Sequence, residues 1–79
     1  MKIQIRYFAR LREQTGLDVE TRETDSRTMA ELWEELAMAH GFTLKPSQLM
    51  VALNDEFCAW DTALEPGATA VFMPPVAGG

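Results

Sequence analysis

The strongest local signal in this chain is one amphipathic helix between Thr28 and Gly41, and it limits what the remaining residues can build. Thr28 stands three residues before Glu31, the spacing of a capping box. Met29, Leu32, Trp33, Leu36 and Ala37 recur at i, i+3, i+4, i+7 and i+8, which draws one apolar stripe along the helix. Glu31, Glu34 and Glu35 are expected on the solvent side, two of them in the first turns, where they suit the helix dipole. Gly41 offers a left-handed stop. A single helix of this kind buries one stripe only, so the rest of the chain must supply a surface to cover it.

That surface reads as a sheet. Residues 2–8 alternate with period two, so Ile3, Ile5 and Tyr7 share one face. Ala9 to Glu13 suits a short helical turn that Gly16 ends, and a second alternating segment runs from Leu17 to Arg22. Two strands this close in sequence predict an antiparallel pair. Beyond Pro46, Leu49 to Leu53 reads as a buried strand, Asn54-Asp55 as a turn, and Phe57 to Trp60 as a short return strand. Glu65-Pro66-Gly67 suits a tight turn, and Ala68 to Met73 forms the final strand. The expected fold is a two-layer α+β domain, a mixed sheet on one main helix, of the ubiquitin-like β-grasp kind.

Composition narrows the setting. The chain has 79 residues and one cysteine, Cys58, so an intrachain disulfide and a multi-cysteine zinc site are both excluded. This fits a reducing cytoplasm. No apolar run approaches the roughly 20 residues needed to span a bilayer, and Lys2, Gln4 and Arg6 interrupt the N-terminal apolar residues as no signal peptide would. Six basic residues face five acids in residues 1–27, a net of +1. Residues 28–79 set Lys45 against seven acids, a net of −6, which together make the chain −5. Such an acidic second half disfavours nucleic acid and suits a partner with a basic surface.

Side chains with chemistry of their own are few. His40 falls in the last helical turn, as a dipole complement or plain surface residue. Cys58 reads as an inert, partly buried thiol. Asp55, Glu56 and Asp61 flank turns, and no His/Cys/Asp set has metal spacing. A self-sufficient active site is not expected, and no metal or cofactor is expected on this chain.

The C-terminal residues are more informative. Pro74 and Pro75 remove two N–H donors, so the sheet ladder cannot pass Met73. They favour a stiff spacer, and Pro74 to Gly79 can reach about 20 Å at roughly 3.3–3.6 Å per residue. A folded head over residues 1–73 and a tail over 74–79 follow. Gly78 and Gly79 carry no side chain, so the tip fits a channel too narrow for a Cβ. The reactive group is then the α-carboxylate of Gly79. A carboxylate is a poor electrophile and needs activation, most simply as an acyl-adenylate made with ATP by a partner.

Tyr7 to Glu13, Leu53-Asn54, Asp61 to Gly67, and Val71 to Gly79 resemble the molybdopterin synthase small-subunit (MoaD-like) family of ubiquitin-like sulfur carriers. The likeness runs from end to end, and the Pro75-Val76-Ala77-Gly78-Gly79 ending is its most specific part. It implies a cycle in which Gly79 is adenylated by an E1-like adenylating enzyme, using ATP and Mg, and converted to a thiocarboxylate. The sulfur then goes to a cyclic pterin precursor held by the synthase large subunit, building the molybdopterin dithiolene within a heterotetramer. Two departures stand out: Met73 replaces a second aromatic, and Ala68-Thr69 replaces an acidic pair.

Alternation also indicates a contact surface. If Ile3, Ile5 and Tyr7 face the helix, Phe8 faces the open side, and Val71 and Met73 join it beside the tail, with Phe57 after its turn. Two alternatives keep the tail chemistry. One is a carrier for another pathway such as thiamine thiazole synthesis. The other is a ubiquitin-like protein modifier with Gly79 joined to a lysine.

Overall fold

The computed structural model describes residues 1–74. Five strands and two helices follow in chain order: β1 (Lys2–Tyr7), α1 (Ala9–Thr15), β2 (Val19–Glu23), α2 (Met29–His40), β3 (Met50–Leu53), β4 (Glu56–Phe57) and β5 (Thr69–Met73), with a 3-10 turn at Pro46–Gln48. They form one mixed sheet in the order β2-β1-β5-β3-β4, which is the β-grasp arrangement. β1 pairs antiparallel with β2 and parallel with β5, while β3 runs antiparallel to both β5 and β4. Among the described residues no helix is long and apolar enough to cross a membrane.

The core lies between the sheet and α2. Ile3, Ile5 and Tyr7 from β1, Ala70 and Phe72 from β5, and Val51 from β3 meet Met29, Leu32, Trp33 and Leu36 of α2. Burying side chains of this size contributes about 1.5–3 kcal/mol each. Trp33 anchors an aromatic cluster, stacked on Phe42 at 5.0 Å between ring centroids and tilted against Phe72 at 5.2 Å. Thr28 caps α2 as expected by accepting from the Glu31 N–H at 3.2 Å. The reciprocal half of the capping box differs: the Glu31 carboxylate accepts from the Arg27 N–H, one residue before the cap. Thr28 itself is held in an antiparallel bridge with Ala63.

Several expectations need correction. The return strand is Glu56–Phe57, because Asn54 and Asp55, with φ of 50° and 71°, close a two-residue hairpin directly after Leu53. Met50 is not buried: its register opposite Met73 sends it to the open face. Glu35 does not lie on the solvent side, and His40 is not a plain surface residue. Register places Ile5 opposite Glu20 and Ile3 opposite Arg22, so β2 turns these two charged side chains toward α2 and leaves Val19 and Glu23 outside. Glu20 accepts from the Tyr7 hydroxyl at 2.6 Å and the Arg22 guanidinium at 2.8 Å, and lies 2.9 Å from His40 Nε2. Arg22 reaches on to Glu35 at 2.5 Å, where the hydroxyls of Thr24 and Ser26 also donate.

Burial alone would raise the Glu20 and Glu35 carboxyls. Donors from Tyr7, His40 and Arg22 on one, and from Thr24, Arg22 and Ser26 on the other, outweigh it and hold both below their ordinary value. Carboxylates depressed by folding stabilise the protein above the unfolded value near 4.5, and that contribution is lost as pH falls through the folded values. Unfolding free energy from urea titrations should therefore change little from pH 7 to about 5.5 and fall steeply below about 4.5. Glu35→Gln should cost about 1–3 kcal/mol at pH 7 and make the acid fall shallower.

Candidate functional site

The open face of the sheet, opposite α2, carries the candidate site. On β1 the alternation that buries Tyr7 exposes Arg6, and the same extended backbone (φ −130°, ψ 153°) carries on through Phe8, the N-cap of α1. Ala9 then adopts φ 49°, in the left-handed region, which turns the chain sharply into α1 and leaves Phe8 at the rim. Strand register aligns the other positions. Arg6 stands opposite Val19 on one side and Val71 on the other; Val71 faces Ala52, and Ala52 faces Phe57. Met73 pairs with Met50 in the next row, and the register that sets Tyr7 beside Phe72 brings Phe8 alongside Met73.

Phe8, Phe57, Val71 and Met73, expected from sequence on one surface, line a single shallow depression of about 210 Å³. Phe57 is 68% exposed, Met50 54% and Phe8 40%, while Val71 and Met73 are half-buried. The depression also holds Arg6, Ala52 and Asp55, which sequence reasoning missed. The signal for Arg6 was available, since it shares period-two phase with Phe8. Ala52 and Asp55 required the hairpin register. Asn54 fixes that hairpin by accepting from the Thr69 N–H through its side-chain oxygen at 2.9 Å.

Because β5 runs parallel to β1, it ends beside Phe8, and half-buried Pro74 begins the tail at this rim. The expected tail residues Pro75, Val76, Ala77, Gly78 and Gly79 lie outside the described residues. Side-chain chemistry elsewhere is sparse. Cys58 is half-buried against the core, and His40 is engaged by Glu20. Among the described residues no cluster of histidine, cysteine and carboxylates could hold a metal ion. A larger, solvent-open concavity of about 490 Å³ beside α1 is polar, and the Arg12–Asp18 ion pair at 2.6 Å lies on its wall. What the described residues offer is an exposed, partly apolar face beside the end of β5.

Comparison with known proteins is consistent across sequence and structure. The model of the ThiS family matches residues 5–79. A relative from Haemophilus influenzae named molybdopterin synthase sulfur carrier subunit is 31% identical, with 98% of this chain and 99% of its own length covered. A putative molybdopterin converting factor, subunit 1, from Pyrococcus furiosus superposes with a TM-score of 0.78 at 27% identity, covering 95% of this chain and 98% of that one. The small archaeal modifier protein 1 of Haloferax volcanii also superposes at 0.78, with 23% identity over 95% of this chain and 98% of that one, a likeness of fold.

The division between core and open face can be tested without a partner. Phe57→Ser should change unfolding free energy by no more than about 0.5 kcal/mol. Phe72→Ala, one layer below, should cost about 3–5 kcal/mol. Chemical denaturation of the two variants separates them.

Proposed function

We propose that this chain, which belongs to the ThiS family, works as the sulfur-carrier small subunit of a molybdopterin synthase. The observation that carries this reading is the continuity of Phe8, Phe57, Val71 and Met73 on one open face with the point at which the tail begins. An apolar face of this kind is a docking surface, and a tail leaving from its rim is delivered to whatever docks there. The name carried by the Haemophilus influenzae relative, nearly end to end, supports the sulfur-carrier role.

In this mechanism the head binds and the tail reacts. An E1-like adenylating enzyme seats the head, and the Gly79 carboxylate attacks the α-phosphorus of ATP, releasing pyrophosphate. ATP and Mg belong to that partner. Sulfur at the sulfide level (HS⁻) then attacks the acyl carbon and displaces AMP, leaving a C-terminal thiocarboxylate and releasing a proton. The synthase large subunit next covers the same face and takes the tail into its own site. There the sulfur passes to a cyclic pterin precursor, and two such transfers complete the dithiolene. Gly78 and Gly79 let the tip enter and bend where side chains would collide. Pro74 and Pro75 have no N–H to donate to a strand ladder, and Val76 and Ala77 separate them from the two glycines in sequence. The chain is thus a subunit and a consumed co-substrate, working in the cytoplasm within a heterotetramer.

The same steps up to the adenylate serve a carrier for thiazole synthesis or a protein modifier, so the destination of the sulfur is the discriminating property. Retention of a pterin-binding large subunit and an adenylating enzyme from native cytosol supports the synthase. Retention of a thiazole synthase, or a ladder of proteins carrying Gly79 on lysine, overturns it. Appending one alanine after Gly79 should abolish sulfur transfer with no change in thermal midpoint, and full activity of that variant would refute the tail mechanism. Phe8→Asp should weaken large-subunit binding by about tenfold or more while circular dichroism and thermal midpoint stay close to the parent.

A further inference from the structure

We propose that Arg6 is a specificity-determining residue of the open face, and that a partner docking there presents an aspartate or glutamate carboxylate to it. This rests on the docking role proposed above and goes beyond it by stating the chemistry of the partner's surface.

The transverse row across the sheet reads Val19, Arg6, Val71, Ala52, Phe57: one cation among apolar side chains. β1 lies between β2 and β5, so the Arg6 backbone sits inside the sheet rather than at its edge. Its guanidinium carbon lies 5.5 Å from the centre of the Phe8 ring, which tethers the charge beside the patch. Among the described residues Arg12 pairs with Asp18, and Arg22 with Glu20 and Glu35, whereas Arg6 pairs with no carboxylate. Asp55 lines the same depression without forming an ion pair with it.

A partner that covers Phe8, Val71 and Met73 also covers Arg6 and removes its water. Burying an unpaired guanidinium opposes binding strongly, so a tight complex must supply a compensating acceptor. A carboxylate meets that demand best because it matches both the charge and the forked geometry of arginine. The sign is notable because the chain carries −5 overall, which favours a basic partner at long range. Arg6 asks for the opposite charge at one point. A uniformly basic surface is therefore attracted at a distance and rejected on contact, which filters unsuitable partners.

The test is titration of the full-length chain against the synthase large subunit at about 0.05 and 0.5 M salt, on either side of strong screening. Arg6→Met should weaken binding by about 30-fold or more at low salt, and Arg6→Glu further, whereas Arg6→Lys should stay within about tenfold of the parent. The Met variant should also lose part of the parent's salt dependence. Arg6 is exposed, so circular dichroism should not change; if the Glu variant fails to fold, the Met and Lys pair decides. Parent-like affinity and salt slope for Arg6→Met would overturn the proposal and leave Arg6 as a solubilising charge. Failure of the parent itself to bind the large subunit would overturn the docking role, and this inference with it.

Discussion

Parallel pairing of β1 with β5, from Gln4 opposite Thr69 to Tyr7 opposite Phe72, joins the first strand of the chain to the last at the middle of the sheet. A parallel pair cannot be closed by a hairpin, so the intervening chain must cross one face, and α2 does so. That crossing buries Ile3, Ile5, Ala70 and Phe72 beneath Leu32, Trp33 and Leu36, and leaves the other face open. It also ends β5 at the same side as β1. β5 therefore ends beside Phe8 as a consequence of topology, so the face proposed for docking lies next to the point where Pro74 leaves the sheet.

The two faces of β2 show how stability and recognition divide. Its inward side chains, Glu20 and Arg22, tie β1 to α2 through Tyr7, His40 and Glu35. Its outward Val19 extends the open face. A charged seam is a reasonable way to finish an edge strand, where a hydrophobic face would be only half covered and prone to pairing with other chains. Each carboxylate in the seam has several donors, and among the described residues no buried side-chain polar atom lacks a partner. The side-chain bonds that add to the β1–β2 ladder thus lie on the α2 side of the sheet, opposite the open face.

What was legible in the sequence follows from the same division. Elements set by local periodicity were readable: the Ile3-Ile5-Tyr7 face, the stripe and cap of α2, the Gly41 stop, and the turn at Gly67, where φ is 82°. So was the outward phase of Phe8, Val71 and Met73, because it follows from alternation once one face is assigned. The charged seam was not. A glutamate on a helix looks the same whether it faces water or an arginine on a strand 13 residues away, and Glu35 turned out to face Arg22. His40 lies in the last turn of α2 as read, but the plain-surface alternative failed for the same reason, since Glu20 lies 20 residues distant in sequence. Met50 was hidden inside an apolar run that carries no phase information, and only its pairing with Met73 assigns it a face.

In the proposed cycle the chemistry lies at Gly79, which imposes a condition on the face proposed for docking. The proposed cycle has two partners use that face in turn, one to activate Gly79 and one to consume the sulfur, so neither can hold it so tightly that exchange stalls. A shallow depression with two flexible methionines at its margin, Met50 and Met73, suits repeated and unlike contacts better than a deep pocket would. Such a surface is also permissive, and permissiveness is costly wherever other apolar patches compete for it. Arg6 answers that problem physically: one charge among Val19, Val71 and Phe8, without a carboxylate partner among the described residues, penalises any purely apolar partner. The partners that remain are those with a carboxylate in register, so soft packing and a single strict charge together give a face that exchanges readily yet chooses.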